Sequence, residues 1–322
     1  MNQFAWRMDA HGFAFDSNFP LTDGGAFRRD KARHPATLQV ADYSLLKLSG
    51  ESVKPPARPR WLVRNAGGIS VAGVAAGTLF ESYCGSRALA LSDSTTVLVS
   101  RGRHISTARF NHTILHSFLP QILSARGETM LHATCVILDG RAFVFAGASG
   151  MGKSTLAAGF AARGATVFSE DILRVERTPS GYYVAHRSYP GARLRANSFL
   201  LPADKRSNQP GRFGLPKHRV YVTETDTVAE PIPVGAIFFL RSGRTVSPRF
   251  SAIRPLQAIR PLLKSSFLQA LPKESRSREA FLRMSSLAAS VPAFELRYKR
   301  SPVHFPALLR DIERFCETTG AS

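Results

Sequence analysis

The stretch FVFAGASGMGKSTLAAGFAARG, residues 143–164, decides how the rest of the chain is read. An apolar run ends in a loop of small residues, and a Lys-Ser pair then opens an alanine-rich run of helical character. Gly147-Ala148-Ser149-Gly150-Met151-Gly152-Lys153-Ser154 matches G-x-x-x-x-G-K-[ST], the phosphate-loop pattern. Glycines open backbone angles closed to other residues, so successive N–H groups can point into one concavity at the positive end of the following helix. In that geometry Lys153 reaches the β- and γ-phosphates of a nucleoside triphosphate, ATP being the expected cofactor, and Ser154 ligates Mg2+. Thr155 completes the cofactor-binding set. The required context is present, with a strand before the loop, a helix after it, and Gly164 where a left-handed helix cap is expected. A glycine-rich turn before an ordinary helix is the plain alternative, but such a turn has no use for Lys-Ser at this position.

A phosphate loop alone means only that a nucleotide is bound, so the surrounding residues must narrow the chemistry. Glu170-Asp171 follows Lys153 by 17 and 18 residues, at the end of TVFS. One carboxylate beside a γ-phosphate can hold Mg2+ directly or through water, and a second can take the proton of an incoming hydroxyl. The other reading is an acidic turn between strands. His132 precedes Gly147 by 15 residues. It is read either as a core or capping residue, or as a group that contacts the γ-phosphate or orients the acidic pair. Arg193, Arg195, Lys217 and Arg219 come later in the chain. One or two of them are candidates for the γ-phosphate and its transition-state charge, against the reading of solvated surface cations. NQPGRFGLPKHR, 208–219, is expected to form a mobile flap.

The chain has 322 residues, 44% of them hydrophobic, which is ample for a large core. Its three cysteines, Cys84, Cys135 and Cys316, are too few and too scattered for a disulfide framework or zinc site. The first twenty residues lack the apolar core of a signal peptide, and the longest apolar stretch, 69–80, is too short to span a bilayer. A cytoplasmic protein with no membrane span is expected. The net charge of +20 favours anionic ligands, but the cations are spread along the chain with no compact block or RNA-binding signature, so no specific nucleic-acid partner is expected.

KPPARPR, 54–60, reads as a linker, and WLV, ISVAGV and TTVLVS, between 61 and 100, as short antiparallel strands. Residues 111–125 carry helical spacing with Pro120 as a kink or start. Asp139-Gly140 predicts a hairpin between two strands over 134–147. Residues 165–187 read as three strands broken at Glu170-Asp171 and at Pro179-Ser180-Gly181. PIPVGAIFFLR, 231–241, is a further strand, 253–289 holds two helical stretches around Pro272, AFELRY, 293–298, is a strand, and 305–317 is a closing helix. The expected division is 1–105, strand-rich and mostly β or α+β, and 106–322, an α/β domain built on the phosphate loop.

His132, the loop, Arg163-Gly164 and the acidic pair, taken in that order over about residues 130–177, resemble the C-terminal kinase domain of bacterial HPr kinase/phosphorylase. The resemblance implies a P-loop kinase domain of the HPr kinase/PEP carboxykinase-like type. It also implies Lys153 on phosphate, Ser154 on metal, Asp171 in place of the family's second aspartate and Glu170 in place of its base. The departures are Glu for Asp at 170 and the absence of the family's Glu-Arg-Gly-x-Gly signature. HRSYPGARLRANS, 186–198, stands there instead, with Tyr189-Pro190-Gly191 followed by Arg193 and Arg195, and resembles the shorter HPr-kinase-related proteins, among them the lasso-peptide kinases. The implied activity is transfer of the γ-phosphoryl of Mg-ATP to a Ser-type hydroxyl on a peptide, protein or small molecule. The alternative is a nucleotide-binding regulatory module with little or no transfer. The hexameric HPr enzyme implies by analogy a homo-oligomer. Residues 1–105 are expected to dock the acceptor, form an oligomer contact or extend the kinase sheet.

Overall fold

The computed structural model describes residues 6–21, 38–42, 63–66, 68–92, 95–188, 192–201, 206, 217–220, 231–270 and 278–320. The linker expected at 54–60, Tyr189-Pro190-Gly191, Pro272 and most of the flap expected at 208–219 lie outside them. The chain forms two compact units, Met1–Met130 with Phe267–Ala280, and Leu131–Ser266 with Phe281–Ser322.

The first unit is built on a sheet of β1 (Trp6–Ala10), β2 (Phe13–Ser17), β3 (Leu38–Asp42), β4 (Val63–Ala66), β5 (Ile69–Val74), β6 (Gly77–Ser82), β7 (Arg87–Leu91) and β8 (Thr96–Ser100). Their order is β1-β2-β3-β8-β7-β6-β5-β4. The meander β5 to β8 is antiparallel, as its turn-separated β-branched runs predict. The parallel pairings of β3 with β2 and β8 join strands distant in sequence. Ala41, Ala72, Leu79, Leu89 and Leu98 form one buried layer. The helical segment comprises α1 (Thr107–Thr113), a π-helical turn (Ile114–Phe118) and α2 (Leu119–Ala125). Leu119 N–H bonds the Ile114 carbonyl five residues back, and Pro120, which has no N–H, follows at the junction of the π-helical turn with α2. This segment belongs to the first unit, whereas the sequence division began the second at residue 106. The reason is packing: Phe110 stacks on Phe19 at 6.1 Å between centroids, and Asn111 donates to the Pro20 carbonyl at 3.0 Å.

The second unit is a mixed α/β structure. After β9 (Thr129–Leu131) come β10 (Ala133–Leu138), β11 (Arg141–Ala146), α3 (Lys153–Ala162), β12 (Thr166–Ser169), β13 (Leu173–Arg177), β14 (Tyr183–His186), β15 (Ala192–Arg195), β16 (Lys217–Val220), β17 (Ile232–Ser242), β18 (Arg249–Ile253), α4 (Pro255–Ser265), α5 (Arg278–Ser290), β19 (Ala293–Tyr298) and α6 (Phe305–Gly320). Strands run β12-β10-β11-β17-β14-β13, with β19 pairing β17 and β18. β11, β17 and β19 are parallel, and FVFA and AIFFL are buried on both faces, the near-continuous apolar pattern of a sheet covered twice. One face carries Cys135, Val144, Ile237 and Phe239 against Ala258 and Leu262 of α4 and Met284 and Leu287 of α5. The other carries Val136, Phe145, Phe238 and Leu296 against Leu156 and Phe160 of α3 and Leu309 and Ile312 of α6. The β10–β11 hairpin turns on Asp139 and Gly140, both at positive φ, as the Asp-Gly signal predicts. Among the described residues, no helix is long and apolar enough to cross a membrane.

Candidate functional site

β11 ends at Ala146, and the chain turns through residues 147–152 into α3. Gly150 and Gly152 have φ of +83° and +100°, the left-handed region that side chains with a Cβ rarely adopt. Gly152 is the N-cap of α3, and Leu156 N–H closes the first helical bond onto its carbonyl at 2.9 Å. The amides of Lys153, Ser154 and Thr155 belong to the first turn of α3, the end at which a helix has N–H groups to offer an anion.

The loop carbonyls are engaged from outside. Tyr298, at the end of β19, donates its hydroxyl to the Met151 carbonyl at 2.5 Å, and Arg300 Nη1 donates to the Gly150 carbonyl at 2.5 Å. Burial pushes the Tyr298 hydroxyl up to about 12, so it stays protonated and donates. Lys153, 5% exposed, donates through Nζ to the Gly147 carbonyl at 2.8 Å. Nothing local in the sequence marks Tyr298 or Arg300 as loop residues; the only trace is an aromatic followed by Lys-Arg-Ser at a strand end.

The acidic pair stands at the end of β12. Ser169 Oγ bonds the Ile172 carbonyl, and Asp171 takes φ +66°, which sets a sharp turn there. Glu170 is buried, and both of its oxygens are engaged by Arg193: the backbone N–H donates to Oε1 at 2.8 Å and Nε to Oε2 at 3.3 Å. Arg193 Nη2 also stands 3.7 Å from Asp171 Oδ2, and His132 Nε2 stands 4.0 Å from Asp171 Oδ1. His132 is held at the mouth of β10 by its N–H bond to the Ser265 carbonyl.

β15 links this cluster to the loop. Leu194 points into a buried cluster with Ala157 and Ala158 of α3 and Val167 of β12. Strand alternation sends its neighbours to the opposite face. Arg193 meets the acidic pair, and Arg195 Nη2 lies 3.4 Å from Ser149 Oγ in the loop. Two cations spaced by one residue thus touch Ser149 of the loop and the carboxylates. Lys217 pairs in register with Arg195 through β16, and Arg219 with Arg193. The side chains of Lys217 and Arg219 lie outside the described set.

The donor set fits magnesium in kind: a serine hydroxyl at the start of α3 and a partly exposed carboxylate at Asp171 are hard oxygens, and magnesium takes one or two of these with phosphates and water. Among the described residues, no three His, Cys, Asp or Glu side chains gather into a metal cluster of their own. A cavity of about 250 Å3 adjoins the loop, bordered by Gly150, Gly152 and Thr155 and by residues of the β19–α6 connection.

No family model matches this chain, and no curated protein matches it. Among solved structures, the HPr(Ser) kinase/phosphatase from Coxiella burnetii aligns with 58% of this chain and 98% of its own, at 12% identity and a TM-score of 0.30.

Proposed function

We propose that the chain is an ATP-dependent phosphotransferase that moves the γ-phosphoryl of Mg-ATP to a serine-type hydroxyl on a peptide, protein or small molecule. The observation that carries this reading is β15, which sets Arg193 on the acidic pair and Arg195 on Ser149 of the glycine loop. Phosphoryl transfer asks for that arrangement: a cradle for the triphosphate, cations for the charge on the moving group, and a carboxylate facing the incoming hydroxyl.

Asp171 is the base. Glu170 spends both oxygens on Arg193 and acts by positioning that guanidinium, while Asp171 is partly exposed beside His132. The acceptor hydroxyl gives its proton to Asp171, its oxygen bonds the γ-phosphorus, and the bond to the β,γ-bridging oxygen breaks with its electron pair leaving on ADP. Lys153, released from the Gly147 carbonyl, reaches the β- and γ-oxygens, and Arg195 meets the charge from the other side. Ser154 would hold Mg2+, which when bound neutralises charge on the phosphates.

Titration calorimetry with Mg-ATP and transfer from labelled ATP to a library of Ser and Thr peptides and small hydroxyl compounds test this. Lys153→Ala is expected to weaken ATP binding by about tenfold or more. Asp171→Asn is expected to keep ATP affinity within a few-fold and lower turnover about 10²-fold or more. Tight Mg-ATP binding with no phosphate on any acceptor and no turnover with water would sink the kinase and leave a nucleotide-gated binding module.

A further inference from the structure

We propose that the cavity beside the loop seats the nucleoside part of the nucleotide, with the base packed among Phe199, Tyr298 and Phe305. This rests on the reading of the loop as a phosphate cradle. Gly150, Gly152 and Thr155 form one wall, so the cavity opens onto the loop and the first turn of α3, and a ligand whose phosphates lie on those amides extends its other end here. None of its lining residues belongs to the acidic cluster, so acceptor and nucleoside approach from separate sides.

Size and chemistry agree. At about 250 Å3 the cavity is just below the roughly 300 Å3 at which whole small-ligand clefts begin, which suits part of a ligand rather than all of it. Phe199 and Phe305 meet edge to face, with centroids 5.3 Å apart and planes at 81°, and Tyr298 and Leu308 add further apolar wall. Lys299 and Arg300 line it as exposed cations, with no acidic residue in the lining. A flat apolar body with an anionic end matches such a site, and a cationic ligand does not. The hydrogen bonds from Tyr298 and Arg300 to the loop carbonyls fix the distance between base slot and cradle before binding, which lowers the ordering cost.

The test is calorimetry on the full chain with Mg-ATP and Mg-tripolyphosphate, and the readout is the ratio of the two affinities. The wild type is expected to bind ATP about tenfold or more tighter than tripolyphosphate. Phe199→Ala removes a wall, and Ser301→Trp fills the cavity from its half-exposed rim. Each is expected to weaken ATP about tenfold, within the range of base–aromatic stacking, and to leave tripolyphosphate within about twofold. Because a general loss of folded protein lowers both affinities together, the ratio reports the cavity. An ATP-to-tripolyphosphate ratio near one in the wild type, or unchanged in both variants, overturns the nucleoside site and leaves the phosphate cradle standing. Failure of the wild type to bind either ligand overturns the cradle and this proposal with it.

Discussion

Gly150 and Gly152 share a left-handed backbone, yet a methyl group meets different surroundings at each. A Cβ at Gly150 finds nothing within 4 Å, so Gly150→Ala carries only the backbone term, about 1–2 kcal/mol. A Cβ at Gly152 would stand 2.5 Å from the Tyr298 hydroxyl, which is itself bonded to the Met151 carbonyl. Gly152→Ala is therefore expected to be the more destabilising in urea unfolding, and to cost ATP affinity as well by displacing the clamp. In the double variant with Tyr298→Phe, part of the loss should return, because the atom in collision is gone; strict additivity would refute the assigned contact. The motif made the loop itself legible from sequence. The clamp was not, because Tyr298 and Arg300 lie about 150 residues away and carry no pattern of their own.

At the scale of elements, the β13–β14 hairpin holds a pH-sensitive group away from the loop. His186 bonds Glu176 at 2.8 Å, and Arg174 stands 2.9 Å from the same carboxylate oxygen. Burial, aided by the Arg174 charge and opposed by Glu176, lowers His186 to about 4 from its ordinary value near 6.5. Between those values the unfolded chain binds more protons, so this contribution is complete above about pH 6.5 and is lost as pH falls toward 4, by at most about 1.4 kcal/mol per unit. His186→Gln should flatten the pH dependence of unfolding across that window; an unchanged slope would show that His186 titrates normally.

The same hairpin was readable from its strand–turn–strand pattern, as were β10–β11 with Asp139-Gly140 and the buried run of β17. Others escaped. β15 is four residues with three flanking or charged positions around Leu194, and β18 alternates too weakly to announce a strand. β1 to β3 are short, and β3 is defined by parallel partners far away in sequence. The acidic pair was visible as a pair, but its contacts with Arg193 were not, because a strand the pattern did not reveal brings that residue in.

For the whole molecule, the net charge of +20 predicts that association with Mg-ATP slows as salt rises, because exposed charges are screened within about 10 Å at 0.1 M. Stopped-flow association rates that stay flat between low and high salt would mean that the cations do not steer nucleotide to the loop. The chain path makes a second prediction. The first unit takes residues 267–280 from beyond most of the second, including the short helical turn Phe267–Ala270 with buried Leu268. Deleting 1–130 strips that segment of its own unit, so the shortened chain should melt earlier and aggregate at lower temperature than the intact protein, as followed by light scattering during a thermal ramp.

That path also sets an order on biosynthesis. At roughly 5–20 residues per second, a ribosome reaches residue 267 about seven to twenty-seven seconds after Met130 has been joined. Through that interval the N-terminal unit lacks the helical turn Phe267–Ala270, even though all eight strands of its sheet have already been made.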